Sequence, residues 1–238
     1  MAKRDPLHPS KEGRPTVEAS DSDEPRSYSS PACYLHELDA LGSLNSSSDS
    51  SGMKSWAEIQ EWRKRTRETL IASRLALAVN VRQAKGEQAK QNMLAAVDLK
   101  RYSTLGIYWS MRGEIDVRDI ARQHIEAGGS VALPVVVEKS APVEFWKWRP
   151  GMGMRRGVWN IPVPMTREVL IPEALIVPLV GFDSERYRLG YGGGYYDRTL
   201  AALARRPFCV GLGYADAQLP SIFPQAHDIP MDIIVTER

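Results

Sequence analysis

Six short apolar runs are interleaved with helical patterns between residues 104 and 237, and that arrangement leaves few architectures open. The runs are TLGIYWS, SVALPVVV, VEFWKW, ALIVPLVGFD, FCVGLGY and DIIVTE. Runs so short and so apolar read as strands buried on both faces. Strands separated by helices imply a sheet that is covered on both sides. The expected fold is therefore α/β, a three-layer sandwich with a largely parallel central sheet covered by helices. Helices are expected over SWAEIQEWRKRTRETLIASRLAL, QAKGEQAKQNMLAAVDLK, VRDIARQHIEAGG and GGYYDRTLAALARR. The first has Ser55 as its cap and Glu58 at the capping-box position. The third stops at glycine. No internal repeat is visible.

Residues 1–52 differ from the rest. They are rich in Ser, Pro, Asp and Glu, with five Lys and Arg against nine acids, a net of −4. Such a segment buries too little apolar surface to offset its ordering entropy and is expected to be a disordered polar tail. Residues 53–238 are expected to form one folded domain. They carry 26 basic against 20 acidic residues, a net of +6, which suits an anionic small molecule or a nucleic acid. Two cysteines, Cys33 and Cys209, are too few for a disulfide framework and fit a reduced, cytoplasmic protein. No apolar run is long enough to span a bilayer, and the charged, proline-broken N-terminus lacks the centre of a secretory signal.

The stretch RLGYGGGYYDRTLAAL (188–203) places a strand, a glycine loop and a helix in succession. Glycines at 190, 192, 193 and 194 allow positive φ and close approach to backbone amides. The helix that follows adds unpaired N–H groups and a partial positive charge. Together these make a phosphate cradle, to which Arg188 can add a bidentate contact. Asp197, just inside the helix, is placed to hold Mg²⁺. The loop is neither a Walker loop nor a dinucleotide fingerprint, and a plain glycine-rich turn remains the alternative.

The first helix carries a second signal. At about 100° per residue, Arg67 and Arg74 fall within roughly 40° of Arg63, in the same sector as Trp56, Ile59, Leu70 and Leu77. These arginines border or lie within the apolar stripe, whereas Lys64 and Arg65 point to solvent. Charge on a buried edge needs a partner, either acidic residues of the domain or a bound anion.

With these motifs together, RLGYGGGYYDRTLA preceded by IVPLVGFD closely resembles the C-terminal signature of the 5-formyltetrahydrofolate cyclo-ligases, also called 5,10-methenyltetrahydrofolate synthetases. IYWSMRGEID, WNIPVP and VGLGYADAQLPSIFPQAHDIPMDIIVTE resemble further family segments in the same order, over roughly residues 55–238. The resemblance implies an enzyme that uses ATP and Mg²⁺ to cyclise 5-formyltetrahydrofolate to 5,10-methenyltetrahydrofolate, with release of ADP and phosphate. It implies an ATP site of Arg63, Arg67 and the loop Arg188, Leu189, Gly190, Tyr191, Gly192, Gly193, Gly194, Tyr195 and Tyr196, in which Arg188 and Asp197 act catalytically. Asp197 and Asp228 would be the Mg²⁺ ligands, with Asp232 the fallback for the second.

For the folate the resemblance implies Glu114, Trp109, Tyr191, Gly192, Gly193, Gly194 and Tyr195, with Trp159 a weaker candidate. A carboxylate such as Glu114 can accept a pair of hydrogen bonds from a pterin. Some family members carry a lysine where this chain has Gly193, and Lys147 is a candidate to replace its charge. The expected partners are small molecules, with no nucleic acid and no membrane, in a monomer or weak dimer. The alternative function is a non-catalytic folate- or nucleotide-binding protein of the same fold. Nucleic-acid binding through the basic first helix ranks below both, because such a helix would project its charges outward.

Overall fold

The computed structural model describes residues 55–238; the expected tail over residues 1–52 lies outside them. Helix α1 (Trp56–Ala76) begins as its capping box requires. The Ser55 hydroxyl accepts from the Glu58 N–H, and the Glu58 carboxylate accepts from the Ser55 N–H at 2.7 Å. Its buried side chains are Ile59, Arg63, Arg67 and Arg74. Trp56, expected in the same stripe, is 39% exposed; it sits in the first turn, beside His227 and beneath Arg63.

The elements that follow are α2 (Val79–Ala96), β1 (Thr104–Gly106), α3 (Arg118–Glu126), β2 (Ser130–Val135), β3 (Glu144–Trp148), β4 (Met154–Arg156), β5 (Pro162–Pro164), β6 (Val169–Leu170) and β7 (Ala174–Pro178). Then come β8 (Gly181–Phe182), β9 (Arg188–Leu189), α4 (Tyr195–Ala202), β10 (Phe208–Leu212) and β11 (Ile233–Val235). Seven strands form one sheet in the order β11-β10-β7-β1-β2-β3-β6. Pairing is parallel from β11 to β2 and antiparallel at β2–β3 and β3–β6.

Period-two alternation sorts the strand side chains between two faces. Leu105, Val131, Leu133, Ile176, Val210 and Leu212 pack with Ala89 and Met93 of α2 and with Ile120 and Ala121 of α3. Ala132, Leu175, Val177 and Cys209 face the other way, against Leu200 of α4, Val143 and Met231. Three layers result, as the interleaved sequence implies. Among the described residues no helix is long and apolar enough to cross a membrane.

Several elements differ from the sequence reading. The TLGIYWS strand pairs only over Thr104–Gly106, with one further bond from the Ile107 N–H to the Ala132 carbonyl at 3.0 Å. ALIVPLVGFD divides in two: β7 ends at Pro178, which has no N–H to extend the ladder, and Gly181–Phe182 turns back to pair with β9. A two-stranded hairpin thus stands between the sheet and the glycine loop. Helix α4 ends at Ala202, short of the expected Arg206.

Candidate active site

β1 and β7 are adjacent and parallel, yet the chain leaves them in opposite directions. From β1 it crosses to β2 on one side, whereas β10 and β11 extend the sheet beyond β7 on the other. Such a switch point opens a crevice outside the carboxyl ends of the strands. The two segments that leave are residues 107–117 and the hairpin β8–β9 with its glycine loop.

Arg74 of α1 joins them. Its Nε donates to the Arg112 carbonyl at 2.9 Å, Nη1 to the Leu179 carbonyl at 3.1 Å, and Nη2 to the Tyr191 hydroxyl at 3.0 Å. The Tyr191 hydroxyl in turn donates to Glu114 Oε1 at 2.7 Å, and the Met111 N–H donates to Oε2 at 2.8 Å. Burial pushes the Glu114 carboxyl above its ordinary range, against the pull of these two hydrogen bonds. Burial also raises the Tyr191 phenol, which keeps its proton to donate.

The glycine loop lies against α1. Arg67 Nε donates to the Gly190 carbonyl at 2.8 Å. Gly192 has φ +97°, and a Cβ there would stand 3.4 Å from the Arg67 guanidinium carbon. Gly194, at φ +61°, is the left-handed N-cap of α4. Both positions need glycine for their backbone conformation. The loop therefore brings its amides and the first turn of α4 to the crevice where Arg67 and Arg74 converge.

Two buried ion pairs flank the loop. Arg188 grips Asp197 through its two terminal guanidinium nitrogens, at 3.1 and 2.9 Å, and lies over the Tyr196 ring. Arg63 pairs with Asp228 and donates to the carbonyls of Ile222 at 3.1 Å and Phe223 at 3.0 Å. The Ile229 N–H donates to Asp197 Oδ1 at 3.1 Å, so Asp197 is tied to the residue that follows Asp228. Among the described residues no group of three or more His, Cys, Asp and Glu side chains could hold a metal ion. A site for a divalent cation would therefore have two carboxylates and would need oxygens from elsewhere.

The other expected residues are more dispersed. Tyr195 meets Trp159 edge to face, with ring centroids 5.4 Å apart. Trp109 instead meets Trp148 at 6.5 Å and lies under Arg118. It lines a cavity of about 520 Å³ with Trp148, Met152 and Met154, on the α3 side of the segment that carries Glu114. Asp232 pairs with Arg206 and accepts from the Cys209 N–H at 2.7 Å. It immediately precedes β11, at the amino ends of the strands, and its carbonyl accepts from Arg186 at 3.0 Å. Lys147 is paired with Glu168 at the surface.

Two contributors escaped sequence reasoning. Asp183, 3% exposed, accepts from the N–H groups of Tyr187 and Ile222 and so anchors the segment that leads to Asp228. Arg198 touches the glycine loop from within α4. An apolar neighbourhood around Asp183 in GFD was the available signal for the first. Nothing local distinguishes Arg198 from a solvated helix arginine.

Fold and site together describe an α/β enzyme whose polar residues gather beyond the carboxyl ends of adjacent parallel strands. The comparisons narrow that class. A model of the 5-formyltetrahydrofolate cyclo-ligase family matches residues 59–237, and the chain belongs to that family. It is 35% identical over 171 residues to the 5-formyltetrahydrofolate cyclo-ligase of Escherichia coli K12, covering 68% of this chain and 93% of that one. The Haemophilus influenzae cyclo-ligase is 29% identical over 164 residues, covering 65% and 88%. The NMR structure of Aquifex aeolicus 5,10-methenyltetrahydrofolate synthetase superposes with a TM-score of 0.65 at 26% identity, over 74% of this chain and 90% of that one. The Mycoplasma pneumoniae synthetase, at 20% identity and a TM-score of 0.61, shares the fold over 74% and 99%.

Proposed function

We propose that this chain cyclises 5-formyltetrahydrofolate to 5,10-methenyltetrahydrofolate with ATP, releasing ADP and phosphate. The observation that carries this reading is the link from Arg74 through Tyr191 to Glu114, which joins an anion-binding loop to a buried carboxylate within one crevice. Amides of residues 190–196, the N-terminus of α4, Arg63, Arg67 and Arg188 provide for a triphosphate. Glu114 provides an acceptor for the pterin, and Trp159, Tyr195 and Trp109 provide aromatic surface.

In the proposed reaction the formyl oxygen attacks the γ-phosphorus and ADP leaves. N10 then attacks the carbon of the phosphorylated imidate and gives up its proton to solvent, and loss of phosphate with the former formyl oxygen leaves the methenyl bridge. Phosphoryl transfer of this kind asks a protein for positioning and charge neutralisation rather than for a covalent nucleophile. Asp197 and Asp228 suit Mg²⁺, which takes one or two carboxylates together with phosphate oxygens and water. Bound there, the ion would offset charge on the terminal phosphates. Arg188 and Arg63, which hold those carboxylates in the resting chain, face the same anion.

The test is an absorbance assay for the methenyl chromophore, with ATP, Mg²⁺ and 5-formyltetrahydrofolate. The wild type turns over, and Asp197→Asn loses at least about a hundredfold in kcat, on the scale of a lost transition-state contact. Asn is chosen because it keeps one oxygen to accept from Arg188, whereas Asp197→Ala would leave that buried guanidinium with neither charge nor acceptor from residue 197, at a cost of about 3 kcal/mol or more. A wild type that binds both compounds without forming the chromophore would instead establish a non-catalytic binding protein of the same fold.

A further inference from the structure

Arg198 lies in the first turns of α4 and points back at the loop that precedes it. Its Nη2 donates to the Gly193 carbonyl. Nη1 stands 2.9 Å from where a Cβ on Gly194 would be, and the guanidinium carbon lies 5.0 Å from the Tyr195 ring centroid. Its Nε is buried without a hydrogen-bond partner, and no carboxylate pairs with it among the described residues. Arg63 and Arg188, by contrast, each hold an aspartate. A buried, unsatisfied donor costs free energy, and no ion pair offsets it for this guanidinium held against two glycines.

From this geometry we infer that Arg198 is a positioning residue, one that locks the Gly193–Gly194 peptide with its N–H toward the crevice. A trans peptide is planar, and its C=O and N–H point in opposite directions. Holding the Gly193 oxygen against α4 therefore turns the Gly194 N–H away from α4. With no Cβ on either side, this peptide plane can rotate at little steric cost. Rotated, it would present a carbonyl oxygen to a phosphate, and like charges would repel. The lock keeps the loop in its donor-out state, so the anion does not have to select that state from a mixture. Without it, apparent affinity falls by the fraction of loops correctly turned.

The inference rests on the nucleotide reading, and the experiment separates the two. Full-length wild type, Arg198→Met and Arg198→Lys are compared by steady-state kinetics and by calorimetry with Mg-ATP and inorganic tripolyphosphate, both in the presence of Mg²⁺. Arg198→Met is expected to raise KM for ATP and Kd for tripolyphosphate about tenfold. Its kcat at saturating ATP and its KM for the folate stay within about twofold of wild type. Arg198→Lys recovers most of the loss, because an ammonium can still donate to the Gly193 carbonyl. An unchanged KM for ATP in Arg198→Met, whatever its thermal midpoint, overturns the lock. So does a loss confined to kcat, which would make Arg198 a transition-state contact. Failure of the wild type itself to bind Mg-ATP or tripolyphosphate overturns the nucleotide reading, and that result needs no variant.

Discussion

Glu114 accepts two hydrogen bonds in surroundings that favour its neutral form. In its proposed role as an acceptor toward a pterin it must be ionised, since a protonated carboxyl offers one oxygen less for the paired contact. Because burial raises its pKa, protonation begins at a higher pH than for an ordinary carboxylate. KM for the folate should therefore climb as pH falls, and should begin to climb before an ordinary carboxylate would take up its proton, while KM for ATP stays level. Glu114→Gln should show a KM at least about tenfold higher that no longer carries this pH dependence. A wild-type KM with the same pH dependence as that of Glu114→Gln would remove Glu114 from the pterin contact. At this scale the arginine stripe was legible in sequence, because burial on a helix follows from spacing alone. The partners were not: Arg63 and Asp228 are 165 positions apart, and only the closed fold brings them together.

Among the elements, β1 shows how little of a strand need be regular. It pairs for three residues and then releases the chain into the crevice. Its last residue, Gly106, lies where three side chains converge: an added Cβ would stand 2.2 Å from Leu175 Cδ2, 3.1 Å from Pro172 Cγ and 3.2 Å from Phe145 Cε1. Gly106→Ala should cost about 1–3 kcal/mol, as overpacking does, and urea unfolding would measure it. Stability equal to wild type would mean that Leu175 yields freely. Apolar pattern located most strands and the first helix with its cap. It could not find the β8–β9 hairpin, because period and hydrophobicity continue unbroken through ALIVPLVGFD while the pairing partner changes. Nor could it find β4, β5 and β6, which are two or three residues long and partly exposed.

For the whole molecule, the interleaving of strands and helices was enough to give the layers, and the order of strands gives the site. Sequence order alone does not say on which side of β1 the chain will add β2 and on which side β7. The crevice is a product of topology, not of any one segment. The described site residues run from Arg63 to Asp228, and the family match begins at residue 59. Deleting residues 1–52 should therefore leave kcat/KM for both substrates within about twofold; a loss of tenfold or more would give the N-terminal segment a part in turnover.

In the resting chain, two acids of the crevice already have a base each: Asp197 with Arg188, and Asp228 with Arg63. Opposite charges held this way largely cancel at a distance, so these two couples by themselves draw in neither lone anions nor lone cations strongly. A visitor of one sign that takes one member of a couple strands the other, and only a visitor of the opposite sign restores the balance. The resting arrangement thus favours guests that arrive as a neutralised set, and it discourages any one of them from settling alone.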